Sequence, residues 1–266
     1  MTEDLGLMIF TDLDGTLIDH ETYRWDAAKP ALKALQSLPT AVILTSSKTA
    51  LEISGLRANL GFEKWPAIVE NGAGILPPFA DDIPDRSHYV MLRAALDALP
   101  KGLRQPFKGF GDVSAAGVVE MTGLSPDAAT LAQQRGFSEP GLWLGSDAQK
   151  SEFLVALQSQ GITAQQGGRF LTLSFGRNKA DCMTEIIAQH HPRHTIALGD
   201  APNDVLMLEH AEFGVVVANP HRPALGPLIG EDSGRILRTE LAGPAGWNRA
   251  VLDLLNRLDL QGNIKE

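Results

Sequence analysis

The chain of 266 residues has one cysteine, Cys182, so an intramolecular disulfide is excluded and the reducing cytosol is its natural compartment. The setting of that cysteine, KADCMTEII, reads as one face of a helix, which places it in the core and not in chemistry. Positive charge is in deficit. Lys and Arg number 23 against 32 Asp and Glu, for a formal net charge of -9 and a pI near 5.3. That balance argues against nucleic acid or a membrane surface as partner. An anionic substrate is still allowed, because a bound divalent metal reverses the local sign. Long apolar runs are missing too, so no segment reads as a membrane span. The opening MTEDLG lacks a signal-peptide pattern, and neither internal repeats nor low-complexity segments occur. The expectation is a soluble cytoplasmic protein with no protein partner implied. The length suits one large domain or two modest ones.

What is present is concentrated first in LMIFTDLDGTL, residues 7–17. Leu7 to Phe10 reads as a buried strand that stops at two carboxylates and a glycine. Asp12 and Asp14 stand at i and i+2, so in extended geometry both leave the same face. Gly15 permits a sharp turn, and Thr16 offers a hydroxyl to whatever the carboxylates hold. Two carboxylates that close repel unless a cation or a shared proton lies between them.

Downstream, helical spacing predicts a helix over Lys29 to Leu38, ended by Pro39. Ala41 to Leu44 reads as a second buried strand, running into Thr45, Ser46, Ser47 and Lys48. Hydroxyls at such a junction either bind an anion with neighbouring backbone donors or cap the next helix. A helix over Leu51 to Leu60 and a short strand over Pro66 to Glu70 follow, then the turn tetrad Asn71-Gly72-Ala73-Gly74. Prolines and aspartates from Pro77 to Asp85 mark a connector. Beyond it come a helix over Ser87 to Leu99, a helix start at Ser125-Pro126-Asp127, and a strand over Gly141 to Gly145. Ser146 to Gln160 reads as a helix with Ser146 and Gln149 as its capping box. Arg169 to Phe175 alternates as a half-buried antiparallel strand does. The middle of the chain is therefore a separate α+β insert. From Asn178 the parallel pattern resumes: helix Lys179 to Gln189, strand Thr195 to Leu198, strand Phe213 to Val217, a short strand near Ile236, and an amphipathic helix from Trp247 to Leu258. The terminal QGNIKE reads as mobile.

Three strand ends thus carry polar groups: Asp12 with Asp14, Ser46, and Asp200. In an open parallel sheet, ligands bind outside the carboxyl ends of strands at a topological switch point, where these residues would meet. Asp204, one helical turn past Asp200, can face the same place. Carboxylates and a serine without histidine or cysteine suit a hard cation, Mg²⁺ above others. Lys179 opens a helix, an end that prefers anions, so it either faces a phosphate or is solvated.

The motifs FTDLDGTL (10–17), LTSS (44–47), Lys179 in GRNKA and GDAPND (199–204) together resemble the haloacid dehalogenase superfamily of aspartate-nucleophile phosphatases. The resemblance implies a Rossmann-like α/β core of parallel strands, residues 1–83 and 176–266, and an inserted α+β cap, residues 84–175. It assigns Asp12 as nucleophile, Asp14 as general acid and base, and Ser46 and Lys179 as holders of the phosphoryl group. Mg²⁺ would lie on Asp12, the Asp14 backbone carbonyl and Asp200, with Asp204 adjacent or bound through water. An aspartate at position 14 implies phosphatase or phosphomutase over the ATPase branch.

Three longer stretches, VENGAGI (69–75), EMTGLSPDAATLAQQRGFSEP (120–140) and GGRFLTLSFGRNKAD (167–181), are similar to the mannosyl-3-phosphoglycerate phosphatase family. Members hydrolyse 2-O-mannosyl-3-phosphoglycerate to mannosylglycerate and phosphate. SSK at 46–48 departs from the commoner TGR but retains the hydroxyl. A substrate with carboxylate, phosphate and hexose implies cationic and amide donors in the cap. The expected substrate-binding residues are Asn71, Gly72, Arg135, Ser138 and Arg169. The rival readings are the same mechanism on glucosyl-3-phosphoglycerate or sucrose phosphate, a phosphomutase, and a non-catalytic binding module.

Overall fold

LMIFTD, residues Leu7–Asp12, forms a strand in which every residue is buried. A strand without a polar face belongs inside a sheet covered on both sides, and the computed structural model places it there. The structure describes residues 5–167 and 169–260; the terminal QGNIKE lies outside them. The chain divides into two compact units: Met1–Ser46, Lys64–Ile68 and Lys179–Glu266 form one, and Ser47–Glu63 with Val69–Asn178 the other.

In the first unit the strands run in the order Ile236–Ala242, Phe213–Ala218, His194–Gly199, Leu7–Asp12, Thr40–Thr45, Ala67–Val69, all paired in parallel. From Leu7–Asp12 the chain goes first to one side and later returns to the other, which makes the junction with His194–Gly199 the switch point. Helices Lys29–Gln36, Lys179–His190, Val205–His210 and Gly243–Arg257 cover the sheet. Cys182 is fully buried in the second of these. The last helix starts four residues before the expected Trp247 because Pro244 sits in its first turn, where a missing N–H is harmless. Trp247, also fully buried, donates from Nε1 to Thr11 Oγ1 at 3.0 Å, and Thr11 Oγ1 donates to the Asp12 carbonyl at 2.8 Å. The closing helix thereby braces the end of the central strand.

The second unit is an antiparallel sheet in the order Phe107–Gly109, Glu139–Trp143, Phe170–Ser174, Thr163–Gly167. Leu92, Leu96, Phe107, Phe153, Leu157, Leu171 and Leu173 form its main core. Helix Pro126–Ala132 has Ser125 as its cap, and Asp147–Gln158 has the Ser146/Gln149 capping box. The Glu139–Trp143 strand begins two residues before the expected Gly141. Glu139 and Pro140 argue against a strand locally, but Glu139 is buried with Tyr89 Oη donating at 2.6 Å and Gly111 N at 2.8 Å. Thr163–Gly167 carries no hydrophobic alternation, and its strand geometry comes from pairing with Phe170–Ser174. Arg169 lies in the turn between them.

The boundaries of these units differ from those of the expected insert. Residues 47–63 join the second unit because helix Ala50–Asn59 packs there on Pro126–Ala132, with Thr49 Oγ1 donating to the Leu131 carbonyl at 3.1 Å. The connector is tied down as well: Arg57, buried, donates to the carbonyls of Pro77 and Ala80. Among the described residues, no helix is long and apolar enough to cross a membrane.

Candidate active site

Strand register brings the polar ends together. Asp12 pairs with Thr45, so Ser46 stands one residue past the nucleophile candidate on the neighbouring strand. On the other side Thr11 pairs with Leu198, which sets Gly199 level with Asp12 and Asp200 just beyond. The sharp exit after Asp12 depends on Gly15, whose φ of +85° suits glycine. Space demands it too: a Cβ there would lie 2.5 Å from Asn219 Nδ2 and 3.1 Å from Asp200 Oδ2.

Asp12, Asp200 and Asp204 bring carboxylate oxygens within 4.8 Å of one another. Lys179, 1% exposed, donates from Nζ to Asp12 Oδ1 and to Asp204 Oδ1, each at 2.6 Å. It opens helix Lys179–His190, and its side chain faces carboxylates, not solvent. Asp204 spends its other oxygen on the backbone, accepting from Asp200 N at 3.1 Å and Ala201 N at 3.0 Å. It is therefore placed to position Lys179 and the strand end. Asp200 accepts from Thr16 Oγ1 at 3.2 Å and from Asn219 Nδ2 at 2.6 Å, and Arg222 Nε lies 3.2 Å from its Oδ2. Asp14 is half-buried two residues beyond Asp12.

The electrostatics follow from this crowding. Burial pushes the Asp12 carboxyl up to about 8, with Lys179 opposing and Asp204 and Asp200 adding to the rise. Burial also works against the Lys179 charge, but Asp12 and Asp204 outweigh it and hold the ammonium above its usual range. Asp200 is raised by burial, against Asn219 and Arg222. Lys179 faces Asp12 and Asp204 while Arg222 lies against Asp200, and the three acids gather hard oxygen donors within 4.8 Å of one another. That chemistry fits Mg²⁺ or a similar cation.

The expected substrate-binding residues all lie in the second unit. Glu70, Asn71 and Gly72 have φ of 53°, 60° and 88°, a run of left-handed backbone that is costly for the glutamate. The fully buried Glu70 carboxylate compensates by accepting from Gly136 N at 2.7 Å, Ser138 N at 2.8 Å and Ser138 Oγ at 2.7 Å. Arg135 is buried against the same group, with Nε 3.2 Å from Glu70 Oε2 and Nη2 donating to Ser138 Oγ at 2.8 Å. Arg135 and Ser138 thus have an internal role: they hold the carboxylate that holds the turn bearing Asn71 and Gly72. Ser138→Ala should cost about 1.5–3 kcal/mol in denaturant unfolding, as expected for a buried hydrogen bond to a charged group; a cost near zero would contradict this role. Arg169 is exposed and donates to the Thr122 carbonyl at 2.7 Å.

With that geometry in place, comparison with known proteins is decisive at the level of the family. Residues 9–89 and 147–225 match the haloacid dehalogenase-like hydrolases. The chain belongs to that family. Solved structures of similar fold include a haloacid dehalogenase-like hydrolase from Bacteroides thetaiotaomicron, 17% identical with a TM-score of 0.65, covering 94% of this chain and 99% of that one. The sucrose-phosphatase of Synechocystis, solved with sucrose and phosphate, is 16% identical with a TM-score of 0.60 over 95% and 98% of the two chains. A subclass IIB sugar phosphatase is 17% identical with a TM-score of 0.59 over 95% and 99%. In this hydrolase, Asn219 and Arg222 are site residues that sequence reasoning missed. The signal was available: Asn219 directly follows the buried strand Phe213–Ala218, and the strand-end rule that found Ser46 and Asp200 applies equally there.

Proposed function

We propose that this hydrolase is a Mg²⁺-dependent phosphatase that converts 2-O-(α-mannosyl)-3-phosphoglycerate to mannosylglycerate and phosphate. The observation that carries the chemistry is the Asp12 carboxylate, buried at the sheet's switch point with Lys179 Nζ 2.6 Å from Oδ1. Oδ2 is then the atom that attacks phosphorus. As the Oδ2–P bond forms, the bond from phosphorus to the substrate alkoxide breaks, and Asp14 gives that alkoxide its proton. Asp14, now ionised, takes a proton from water as the water oxygen attacks phosphorus. The Oδ2–P bond breaks, phosphate leaves and both carboxyls return to their starting forms. Ser46 and Lys179 hold the transferring oxygens, in positions fixed by strand register and by Asp204. Asp12, Asp200 and the Asp14 carbonyl would hold Mg²⁺, with Asp204 adjacent, and the bound ion would offset repulsion between nucleophile and anionic ester.

The substrate class rests on the three stretches similar to mannosyl-3-phosphoglycerate phosphatases and is supported by the likeness to a sucrose-phosphatase and another sugar phosphatase. In this reading residues 84–175 act as the cap, and Asn71, Gly72 and Arg169 bind substrate. Arg135 and Ser138 act through Glu70. The sucrose-phosphatase likeness also favours a second reading, the same mechanism on glucosyl-3-phosphoglycerate or sucrose phosphate.

Phosphate release with Mg²⁺, measured across mannosyl- and glucosyl-3-phosphoglycerate, sucrose phosphate and simple hexose phosphates, separates these. The expected result is a kcat/KM for the mannosyl compound at least about tenfold above the rest, about 1.4 kcal/mol of discrimination. Preference for another ester would keep the mechanism and replace the substrate. Turnover that required a bisphosphate activator would make the protein a mutase.

A further inference from the structure

Each acid of the cluster has a cation beside it, and the two cations are not equivalent. Lys179 is buried and donates to Asp12 and Asp204 at 2.6 Å each. Arg222 Nε lies 3.2 Å from Asp200 Oδ2, and its side chain is 35% exposed where that of Asp200 is 1% exposed. A partly exposed ion pair contributes little, because water competes for the charge. A buried ammonium between two carboxylates cannot leave without stranding both. Arg222 is therefore the cation that can turn out to solvent. The Asp200 carboxylate does not depend on it for direction: Oδ1 accepts from Thr16 Oγ1 at 3.2 Å and Oδ2 from Asn219 Nδ2 at 2.6 Å.

The Asn219 amide is set in advance. Its Oδ1 accepts from His221 N at 2.9 Å, which leaves Nδ2 aimed at Asp200. Behind it lies the bare backbone of Gly15, where a Cβ would come within 2.5 Å of Nδ2. Pro220 and Pro223 flank His221 and Arg222 and fix φ at two points of the loop. The His221 ring stacks on His20 with centroids 4.9 Å apart. The loop backbone is thus braced, while the long Arg222 side chain retains rotamer freedom. All of these residues lie in one compact unit, that of the parallel sheet. A divalent cation bound through Asp200 meets the Arg222 charge beside the same carboxylate, and the two repel most strongly where solvent screens them least.

We propose, resting on the Mg²⁺-dependent reading above, that Arg222 is a resident counter-charge on Asp200 that a divalent cation must displace, so that this arginine limits how tightly the ion is held. Asn219 is the positioning residue that keeps Asp200 aimed when the arginine leaves. Two neighbours of one oxygen thus act on metal affinity with opposite sign.

Calorimetric titration of the metal-free full chain with MgCl₂, at mildly alkaline pH where protons compete least, tests this apart from turnover. Arg222→Gln and Arg222→Ala should each bind Mg²⁺ about three- to fivefold more tightly than wild type, the weight of a partly exposed charge pair. Arg222→Lys keeps the charge and should stay nearer to wild type than to Arg222→Gln. Asn219→Ala should weaken binding by about tenfold or more, as when a residue that orients a metal ligand is lost. Melting curves give a second readout: the rise produced by Mg²⁺ should be larger in Arg222→Gln than in wild type and smaller in Asn219→Ala. An arginine that merely braced the loop would have the reverse effect, since its loss would weaken binding. The proposal is overturned if Arg222→Gln and Arg222→Ala bind Mg²⁺ no more tightly than wild type, or if Arg222→Lys behaves as Arg222→Gln does. It is overturned as well if neither wild type nor Arg222→Gln binds the ion. Failure of the phosphatase reading looks different: no phosphate is released from any sugar ester, yet the Mg²⁺ affinities keep the stated order.

Discussion

Asp12→Asn should lower phosphate release from the preferred ester by about 10⁴-fold or more, the scale of loss when a covalent nucleophile is removed. The amide is isosteric and its oxygen can still accept from Lys179, so the loss would be chemical and not architectural. The same substitution removes one of three carboxylates that approach within 4.8 Å of one another. Burial and the two neighbouring acids already push the Asp12 carboxyl up to about 8, so its replacement relieves repulsion. The melting temperature of the metal-free variant should accordingly not fall below that of wild type. Rapid-quench labelling with a phosphorus-labelled ester should trap a phosphoryl-enzyme in wild type and none in the variant. Turnover within about tenfold of wild type would remove Asp12 from the nucleophilic role.

Lys179→Met should destabilise the metal-free protein more than other single changes at the site. The ammonium is 1% exposed and lies 2.6 Å from both Asp12 and the fully buried Asp204. Removing one partner of a buried ion pair costs about 3–5 kcal/mol, because the remaining charges are left uncompensated. For a protein of this size that corresponds to a fall in melting temperature of roughly 6–20 °C. Millimolar Mg²⁺ should recover part of the loss, since a cation that binds only the folded state stabilises it by mass action. Turnover should fall by about 10²–10³-fold even with Mg²⁺ present, as when one preorganised donor to a developing anion is lost. An unchanged melting curve would mean that the carboxylates do not depend on this lysine.

Much of the site was legible because each catalytic candidate stands at the end of a buried apolar run. FTDLDGTL, LTSS and GDAPND each read as strand followed by polar turn, and parallel strands deliver such turns to one edge. The Gly15 turn and the caps at Ser125 and Ser146 were legible for a similar reason: their signals act within four residues. Asn219 escaped notice although it too ends a buried strand, because it lies outside the four motifs that carried the resemblance.

The internal contacts of Arg135 and Ser138 were hidden for a different reason. A buried arginine is spelled like an exposed one, and its partner Glu70 is 65 residues away, itself in a left-handed conformation that no propensity would assign to glutamate. The start of the Glu139–Trp143 strand was hidden likewise, since a buried glutamate followed by proline looks like a turn until Tyr89 and Gly111 satisfy the carboxylate. Thr163–Gly167 has no apolar period to read and becomes a strand only by pairing.

The sequence by itself determined the parallel α/β core, the α+β character of the middle segment, and the polar residues that gather at the strand ends, because hydrophobic period and local turn chemistry are short-range. Tertiary structure alone decided which charges meet: Lys179 with Asp12 and Asp204, Asp200 with Asn219 and Arg222, Glu70 with Arg135. Those pairings join residues up to 167 positions apart. Their strength depends on burial and on oxygen–nitrogen distances of about 3 Å, quantities that exist only once the chain has folded.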